Sequence, residues 1–371
     1  MTEPIRCFHL DHSYDGHSLH EGGGPCCFVH IPGVSSFQQL HQHPEYIEIK
    51  QQFNQGQWPE KYCNECKSIE ETSAGMSKRQ HSTMFYDNIT DNACTDDVMY
   101  ALIVNTGSLC NLQCRSCAPW LSSSWVKEYN QMPAEFQPHK LKNIKEVAHY
   151  RVEDDNLSTL HSIGLIGGEP MYNLTAYGLL EKVYNATGGN VVVTFTTNGT
   201  ILFDIEKYDW LSKFEKIVLI VSLDAVTLAS DYLRTGSSWA TIEQNIQTYK
   251  NMPNIRVEFH PTYSVLNIFE IEKLLKWGDS MGISSTNEIT YLEYPRHLSY
   301  DILTDSERVI ITDYLNSVNL LGAARRVSNS KFDQLERNKF NDFMKHTTNY
   351  HGMDWKTYLP ELYNLLNTTC L

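Results

Sequence analysis

The chain has 371 residues, of which 41% are hydrophobic, and this is enough for one large domain with a sizeable core plus a smaller module. Thirty Lys and Arg residues against 44 Asp and Glu residues give a net charge of −14, which disfavours a nucleic-acid partner because the sequence has no basic patch. No apolar run reaches the roughly 18 to 20 residues of a membrane span, and the first residues lack a signal-peptide pattern, so we expect a cytoplasmic protein without a membrane partner.

The first segment, residues 1–95, is rich in His, Gly and turn-forming residues and shows no helical periodicity before about residue 65. Its closely spaced cysteines form two pairs, Cys26 with Cys27 and Cys63 with Cys66, while Cys7 and Cys94 stand apart. In a reducing compartment such spacing indicates metal or redox chemistry rather than disulfides. Because the segment has little apolar core of its own, we expect a small Cys-rich module that is stabilised by a bound metal.

The second segment, residues 96–300, alternates strand-like and helix-like patterns. Short β-branched or apolar runs occur at 98–106, 162–168, 191–199, 216–224, 255–265 and 287–295. Between most of them lie stretches long enough for a helix, such as 171–189. Strands that alternate with helices predict a parallel sheet with right-handed crossovers, either an open doubly wound sheet or a partial barrel. In both folds the functional groups gather at the carboxyl ends of the strands.

The third segment, residues 301–371, is predicted to be helical. Thr304 and Glu307 have capping-box spacing, and Ile311 and Leu315 fall on one helical face after them. We interpret this segment as helical packing against the rest of the chain.

Three cysteines follow the first predicted strand of the second segment, in the pattern Cys110-x3-Cys114-x2-Cys117. Three thiolates in one loop suit a 4Fe-4S cluster whose fourth iron has no protein ligand and can bind another molecule. A zinc site with a distant fourth ligand is the alternative that the spacing leaves open.

This motif, at the end of a first strand, resembles that of the radical S-adenosylmethionine (radical SAM) enzymes. The resemblance covers roughly residues 98–295 and implies an α/β fold with a partial (β/α)6 TIM-like barrel. It also implies that S-adenosylmethionine chelates the fourth iron and is cleaved reductively to a 5′-deoxyadenosyl radical, which abstracts hydrogen from a substrate. An electron donor such as a flavodoxin or ferredoxin is the implied protein partner.

Residues after the later strands fit the same resemblance. The second strand ends in a sequence similar to the family's GGEP motif, which holds the amino group of S-adenosylmethionine: Gly167, Gly168, Glu169 and Pro170. Glycines allow close backbone approach, and a carboxylate suits an ammonium group. The resemblance assigns cofactor-binding roles after the third and fourth strands to Asn198, Ser222, Asp224 and Arg234. Alternatively, Asn198 belongs to an Asn-Gly turn and Asp224 to a helix cap.

The N-terminal cysteines carry a second resemblance. Cys7, Gly22-x4-Cys27 and Cys63-x2-Cys66 are similar to the opening half of the SPASM and twitch modules, which bind an auxiliary 4Fe-4S cluster and commonly follow the barrel rather than precede it. The implied ligands are Cys7, Cys27, Cys63 and Cys66, with Cys26 as an alternative to Cys27. Four cysteines with a Cys-x2-Cys pair also suit a structural zinc ion. We interpret His9, His12, His17 and His20 as solvated turn residues, and Cys94 and Cys370 as packing thiols.

The substrate is not specified by these motifs. Relatives with SPASM or twitch modules often modify peptides or proteins, which makes that class the first hypothesis and a small molecule the second. Acid or hydrogen-donor candidates on the last two strands are Glu258, His260, Tyr263 and Glu293, and each is equally compatible with a structural role. Two hypotheses from other classes are a zinc-binding interaction protein and a thiol redox protein that uses Cys63 and Cys66.

Overall fold

The structure, a computed structural model, describes residues 4–16, 22–72, 76–87, 98–137, 154–286 and 289–368. Four residues interpreted from the sequence lie outside these ranges: His17, His20, Cys94 and Cys370. Within the described residues no helix is long and apolar enough to cross a membrane.

The strands are β1 (Ser13–Gly16), β2 (Gly22–Cys26), β3 (Val29–Pro32), β4 (Ala101–Asn105), β5 (Gln113–Cys114), β6 (Ser162–Ile166), β7 (Val192–Thr197), β8 (Lys216–Ser222), β9 (Arg234–Thr235), β10 (Ile255–His260), β11 (Thr262–Tyr263), β12 (Ser284–Ser285) and β13 (Thr290–Tyr291). The helices are α1 (Phe8–His12), α2 (Phe37–Gln42), α3 (Pro44–Asn54), α4 (Glu60–Thr72), α5 (Lys78–Asp87), α6 (Val126–Tyr129), α7 (Leu174–Thr187), α8 (Thr227–Leu233), α9 (Trp239–Lys250), α10 (Ile271–Met281), α11 (Asp305–Ser317), α12 (Leu321–Asn329), α13 (Gln334–His351), α14 (Trp355–Tyr358) and α15 (Pro360–Thr368).

The chain divides into two compact units. Unit 1 comprises residues 1–108, 145–196 and 203–218, and unit 2 comprises residues 109–144, 197–202 and 219–371. One boundary falls inside β8, so the first residues of that strand belong to unit 1 and the rest to unit 2. The boundaries predicted near residues 95 and 300 do not coincide with this division.

Unit 1 contains a sheet with the strand order β8-β7-β6-β4-β1-β2-β3. β4 is parallel to β6 on one side and to β1 on the other, and Ala101 lies opposite both Ser162 and Ser13. β2 is antiparallel to both β1 and β3. β4 reads as a nearly continuous apolar run, which is typical of a parallel strand that is covered on both faces. The N-terminal segment therefore extends the parallel sheet of unit 1.

Helices occur in the N-terminal segment earlier than the sequence predicted. α1, α2 and α3 all precede residue 65, so the expectation of a helix-free region there was wrong. The Ser36 side chain accepts a hydrogen bond from the Gln39 amide and caps α2, and Pro44 starts α3. The buried face of α3 is a narrow stripe of Tyr46, Ile49 and Phe53 among polar residues, which gives a weak periodic signal.

Unit 2 contains the strand order β12-β10-β8, with β10 parallel to β12. Two small ladders complete it, a parallel one between β11 and β13 and an antiparallel one between β5 and β9. The first four predicted strands are confirmed as β4, β6, β7 and β8, and so is the α/β class with parallel strands. The predicted fifth strand is split into β10 and β11 at Pro261, which has no amide hydrogen for a ladder. Of the predicted sixth strand, β13 is the part that the structure assigns as a strand.

Two helices that were predicted from the sequence are confirmed together with their caps. α7 ends at Gly188, whose φ of 67° is the left-handed conformation of a glycine C-cap. α11 begins with the predicted capping box: Thr304 accepts from the Glu307 amide, and the Glu307 side chain accepts from the Thr304 amide.

The C-terminal helices of unit 2 share one apolar core with the segment that follows the three-cysteine motif. Buried members of this core include Trp125, Tyr129, Tyr232, Ile311, Phe340 and Leu366. The C-terminal helices therefore pack as predicted, and they share a continuous core with α6 and α8.

Candidate functional site

The loop that carries the three motif cysteines is held by the residues that follow it in sequence. The Ser124 hydroxyl donates to the Cys110 carbonyl at 2.6 Å, and the Trp125 indole donates to the Cys114 carbonyl at 3.1 Å. The Cys117 amide donates to the Cys114 carbonyl at 3.0 Å, which turns the chain between these two cysteines. The backbone of the loop is therefore fixed at each motif cysteine by a partner within unit 2.

The three thiols lie close enough to influence one another. Burial raises the pKa of Cys114 to about 11, and the neighbouring Cys110 adds to this shift while the positive charge of Arg234 opposes it. Burial also raises the pKa of Cys117, and the charges of Cys114 and Cys110 raise it further. Thiolates that repel one another in a buried loop are stabilised by a shared cation, so this donor set fits an iron–sulfur cluster.

Arg234 and Asp224 are brought together beside Cys114. The guanidinium of Arg234 lies 2.9 Å from the Asp224 carboxylate and donates to the Cys114 Sγ at 3.6 Å. Both charged side chains are buried, and the second oxygen of Asp224 accepts from the Thr262 amide at 3.0 Å. The β5–β9 ladder places Arg234 directly opposite Cys114. The two residues, both predicted to bind the cofactor, thus form an ion pair that contacts the second cysteine.

Asn198 lies beside the first cysteine. Its side-chain amide donates to Asn111 Oδ1 at 2.8 Å and lies 4.0 Å from Cys110 Sγ. Gly199 follows with a φ of 77°, so the Asn-Gly turn that was the structural alternative is also present. Asn111 was not identified from the sequence, although its position inside the cysteine motif is a signal that could have found it.

Ser222 is the last residue of β8, and its side chain is half-buried. It lies within unit 2, as do Asn198, Asp224 and Arg234, so the predicted residues after the third and fourth strands belong to the same unit as the three cysteines.

The GGEP residues belong to unit 1 and lie against the end of β4. Gly167 has a φ of 122°, and a Cβ atom there would be 2.6 Å from the Gly107 carbonyl oxygen, so only glycine fits. The Gly168 amide donates to the same carbonyl at 2.7 Å. Glu169 is fully buried and accepts from the Met171 amide at 3.0 Å, which caps the short 3₁₀ turn that starts at Pro170. The glycines therefore allow a close approach of this turn to the backbone at Gly107.

A second group of thiols occurs in unit 1, around a small cavity that is lined by Cys7, Cys26, Cys63 and Cys66. Cys63 and Cys66 are one helical turn apart on α4. Cys27 does not line this cavity. Cys26 is the last residue of β2 and Cys27 lies in the turn that follows, and the charge of the Cys27 thiolate adds to the effect of burial in raising the pKa of Cys26. Because Cys26 lines the cavity, we propose this alternative to Cys27 as the fourth ligand.

Two cations accompany these thiols. Burial raises the pKa of Cys7 and that of Cys63 to about 12, and the guanidinium of Arg79 lowers the pKa of Cys7. Arg79 also forms a bidentate pair with Glu70 at 2.9 and 2.6 Å, and Lys78 lines the same cavity. Neither cation was identified from the sequence, although both follow the Cys63-x2-Cys66 motif closely.

His9 and His12 are buried, so their interpretation as solvated turn residues was wrong. His9 Nδ1 lies 3.0 Å from Ser13 Oγ, and burial lowers the pKa of His9 to about 3. His12 Nδ1 lies 3.1 Å from the Val98 carbonyl oxygen. Over the described part of the chain, no three His, Cys, Asp or Glu side chains are grouped so as to hold a single metal ion.

The acid and hydrogen-donor candidates of the last strands are engaged with neighbouring side chains. His260 lies 2.5 Å from Thr286 Oγ1 and 2.9 Å from Thr290 Oγ1. Glu258 pairs with Arg256 at 2.5 Å, Glu293 pairs with Arg326 at 2.7 Å, and Tyr263 packs against Tyr291. These contacts favour the structural role that the sequence left open for each of them.

A family model described as a 4Fe-4S single cluster domain matches residues 101–244. No curated protein sequence matches the chain significantly. Among solved structures, native anSMEcpe with bound AdoMet is 16% identical over 63% of this chain and 64% of its own, with a TM-score of 0.40. Streptococcus suis SuiB bound to S-adenosylmethionine is 15% identical over 82% and 65%, with a TM-score of 0.38. SuiB bound to precursor peptide SuiA is 13% identical over 90% and 69%, with a TM-score of 0.38.

The chain spans less than two thirds of the length of the first two of these structures. The family match starts at the first residue of β4 and includes all three motif cysteines, together with Gly167–Pro170, Asn198 and Arg234. The resemblance predicted from the sequence is thereby confirmed in its iron–sulfur part: residues 101–244 are similar to a domain built around a single 4Fe-4S cluster.

Proposed function

We propose that this chain is a radical SAM enzyme that binds a 4Fe-4S cluster through Cys110, Cys114 and Cys117. With S-adenosylmethionine bound, such a cluster supplies the reductive cleavage that yields a 5′-deoxyadenosyl radical, which abstracts hydrogen from a substrate. The observation that carries the proposal is the convergence of three interacting thiols in one loop with Arg234 and Asn198 beside them in unit 2.

The other predicted residues have defined parts in this proposal. Arg234, fixed by its pair with Asp224, places a positive charge against Cys114 and offsets the negative charge of the thiolates. Gly167 and Gly168 form the close turn at the end of β4, and Glu169 is the residue that the resemblance assigns to the ammonium group of the cofactor. Ser222 at the end of β8 offers a hydroxyl to the ribose.

The test is anaerobic reconstitution with iron and sulfide, followed by iron, sulfide and zinc analysis and an assay for 5′-deoxyadenosine. The expected result is a brown protein that cleaves S-adenosylmethionine under reducing conditions, and a Cys110→Ala, Cys114→Ala, Cys117→Ala variant that does not. Zinc retained by these three cysteines, with no cofactor cleavage, would overturn the proposal in favour of a zinc-binding interaction protein.

We further propose that Cys7, Cys26, Cys63 and Cys66 bind an auxiliary 4Fe-4S cluster. The four thiols line one cavity, and the adjacent Lys78 and Arg79 suit a cluster with net negative charge. Spectroscopy of the triple variant above tests this idea, because iron and sulfide should persist there at about half of the wild-type amount. Zinc in their place, or no metal, contradicts it.

The proposed substrate is a peptide or protein, as the SPASM and twitch resemblance of the N-terminal cysteines suggests, and the proposed electron donor is a flavodoxin or ferredoxin. Product analysis with candidate peptides and small molecules, followed by the release of 5′-deoxyadenosine, would identify the substrate class. Release that depends on small molecules alone would exclude the peptide class.

A further inference from the structure

Unit 2 contains an apolar cavity of about 260 Å³ next to the cysteine loop. Cys117 lines this cavity. The aromatic side chains in its walls include Trp120, Trp125, Phe136, Tyr294 and Phe343. A volume of this size suits one large side chain rather than a whole drug-sized ligand, for which pockets are roughly 300 Å³ or more. Tyr294 is 54% exposed and packs against Trp120 with 5.9 Å between ring centroids, so this aromatic pair stands on the open side of the cavity.

A buried polar group in the cavity wall has no partner. His297 is only 8% exposed and lies between Phe136 and Phe343, with ring centroids 5.3 and 4.9 Å away. Its Nε2 atom has no hydrogen-bond partner among the described residues. Burial lowers the pKa of His297 to about 4, so the ring is neutral near pH 7. An unpaired nitrogen in an apolar wall is costly unless a ligand supplies the missing hydrogen bond.

A second cavity of about 680 Å³ adjoins the first and shares Arg296 with it. Its lining is more polar and includes Tyr300, which is 5% exposed and whose hydroxyl also has no partner among the described residues. Arg296 itself pairs with Asp301 at 3.2 Å and with Asp333 at 3.5 Å. An apolar pocket beside a polar cleft is the arrangement expected for a peptide that anchors one side chain and lays its backbone alongside.

The lining of the apolar cavity carries charges of both signs, so a charged anchor of either sign meets like charges there. Arg115, Arg296 and Lys339 all line it and would repel a lysine or arginine side chain. Glu135 and Glu336 line it as well and would repel a carboxylate, and Lys339 is already paired with Glu336 at 2.8 Å. A neutral aromatic side chain avoids both penalties, and one with a polar edge can also pair with His297.

We propose that this cavity binds a tryptophan or tyrosine side chain of the peptide substrate, with the indole N–H or phenol O–H paired to His297 Nε2 and the flanking backbone in the adjoining cleft. This inference rests on the proposed function only in calling the bound peptide a substrate. The binding itself is independent of cofactor cleavage and can be measured separately.

The experiment measures fluorescence anisotropy of labelled pentapeptides of the form Gly-Gly-Xaa-Gly-Gly with the reconstituted protein, in the absence of S-adenosylmethionine. Xaa is Trp, Tyr, Phe, Lys, Glu or Ala. We expect the Trp and Tyr peptides to bind about tenfold more tightly than the Ala peptide, and the Phe peptide to be intermediate. Equal affinities across the series, tighter binding of the Lys or Glu peptide, or no binding of the Trp peptide at about 1 mM would each overturn the inference.

Variants distinguish the aromatic contact at Tyr294 from the hydrogen bond to His297. Tyr294→Ala should weaken the Trp, Tyr and Phe peptides about equally, and this residue is too exposed for its loss to unfold the protein. His297→Phe should abolish the advantage of Trp over Phe while leaving Phe binding intact. Val309→Ala, at a 60% exposed position of α11, is the control that should change nothing. If the protein prefers the Trp peptide but cleaves no S-adenosylmethionine, the pocket is supported and the proposed function is refuted. If it cleaves S-adenosylmethionine without this preference, the proposed function is supported and the pocket is refuted.

Discussion

Arg234 makes a contact with Cys114 that its position in the sequence does not reveal. It ends α8 and faces Cys114 across the β5–β9 ladder, 120 positions along the chain from that cysteine. Its ion pair with Asp224 is buried, so the geometry of the guanidinium is fixed by a partner that is itself fixed by the Thr262 amide.

Replacing Arg234 should make a cluster at Cys110, Cys114 and Cys117 harder to reduce. A nearby positive charge stabilises the added electron, so Arg234→Gln should lower the midpoint potential by roughly 30 to 60 mV, since 59 mV corresponds to a tenfold change for one electron. An EPR-monitored redox titration of the reconstituted protein measures this shift.

Two further variants serve as controls for Arg234. Asp224→Asn combined with Arg234→Gln should recover stability and part of the lost potential, because the single variant leaves a buried carboxylate unpaired and the charge of Asp224 acts on Cys114 in the sense opposite to that of Arg234. Arg256→Gln removes a half-exposed cation on β10 that pairs with Glu258, and it should leave the potential unchanged. An unchanged potential in Arg234→Gln would refute the electrostatic role.

The adjacent residues Cys26 and Cys27 allow a matched comparison at the auxiliary site. Cys26→Ser should remove about half of the bound iron and sulfide, because its thiol lines the cavity with Cys7 and Cys63. Cys27→Ser should retain the full amount. Iron and sulfide analysis and absorbance spectra of the two variants identify the ligand. If Cys27→Ser loses iron and sulfide while Cys26→Ser keeps them, Cys27 is the ligand.

At the residue scale, the sequence identified residues whose types are distinctive for iron–sulfur and cofactor chemistry. It did not identify the polar residues that hydrogen-bond to them. Cys110 and Asn198 were recognised, but Asn111, which connects to Asn198, was not. The choice between Cys26 and Cys27 depends on where β2 ends, which a one-residue error in a strand boundary reverses. Such contacts are set by tertiary placement and leave no spacing signal.

At the element scale, α13 connects the C-terminal helices to the cysteine loop through Glu128 of α6. This carboxylate is fully buried and lies 2.8 Å from His351 Nε2 and 3.5 Å from His346 Nε2, both on α13. Gln113, which precedes Cys114, also donates to it at 3.5 Å. A buried carboxylate needs these partners, because an unpaired charge in the interior is strongly unfavourable.

Removing His351 should therefore destabilise unit 2 and loosen the cysteine loop. We expect His351→Ala to reduce the free energy of unfolding by about 1 to 3 kcal/mol, the usual penalty for leaving a buried group without its hydrogen bond. Urea unfolding gives this value, and iron retention after dilution reports on the loop. Glu128→Gln in the same background should restore part of the stability, whereas Lys345→Ala on the exposed side of α13 should have no effect. Equal stability of His351→Ala and wild type would show that α13 does not support the loop.

Strands and helices were predicted correctly where the local pattern of apolar residues was strong. The apolar runs of β4, β6, β7 and β8 were found because buried parallel strands are nearly continuous in apolar residues. The last two predicted strands were less regular, since Pro261 interrupts one of them. The helices before residue 65 were missed because α3 buries only a narrow stripe.

At the scale of the whole molecule, the division of the chain follows contacts rather than sequence order. Composition suggested three consecutive segments, but unit 1 combines residues 1–108 with two later stretches. Strand β1 extends the parallel sheet next to β4. The residue pattern of a strand does not specify which distant strand will pair with it. The C-terminal segment likewise joins a core whose other members begin at Trp125.

This shared core predicts that the chain cannot be shortened to residues 1–300 without losing unit 2. The truncation removes Ile311, Phe340 and Leu366, all buried in the core, and burial of such a side chain contributes about 1.5 to 3 kcal/mol. Because whole domains are stable by only about 5 to 15 kcal/mol, the loss of several such groups exceeds what the fold can absorb. We expect the 1–300 fragment to aggregate, or to show no cooperative unfolding transition by circular dichroism and to bind no iron at Cys110, Cys114 and Cys117. A 1–300 fragment that unfolds cooperatively and binds the full amount of iron would instead establish the C-terminal helices as a dispensable addition.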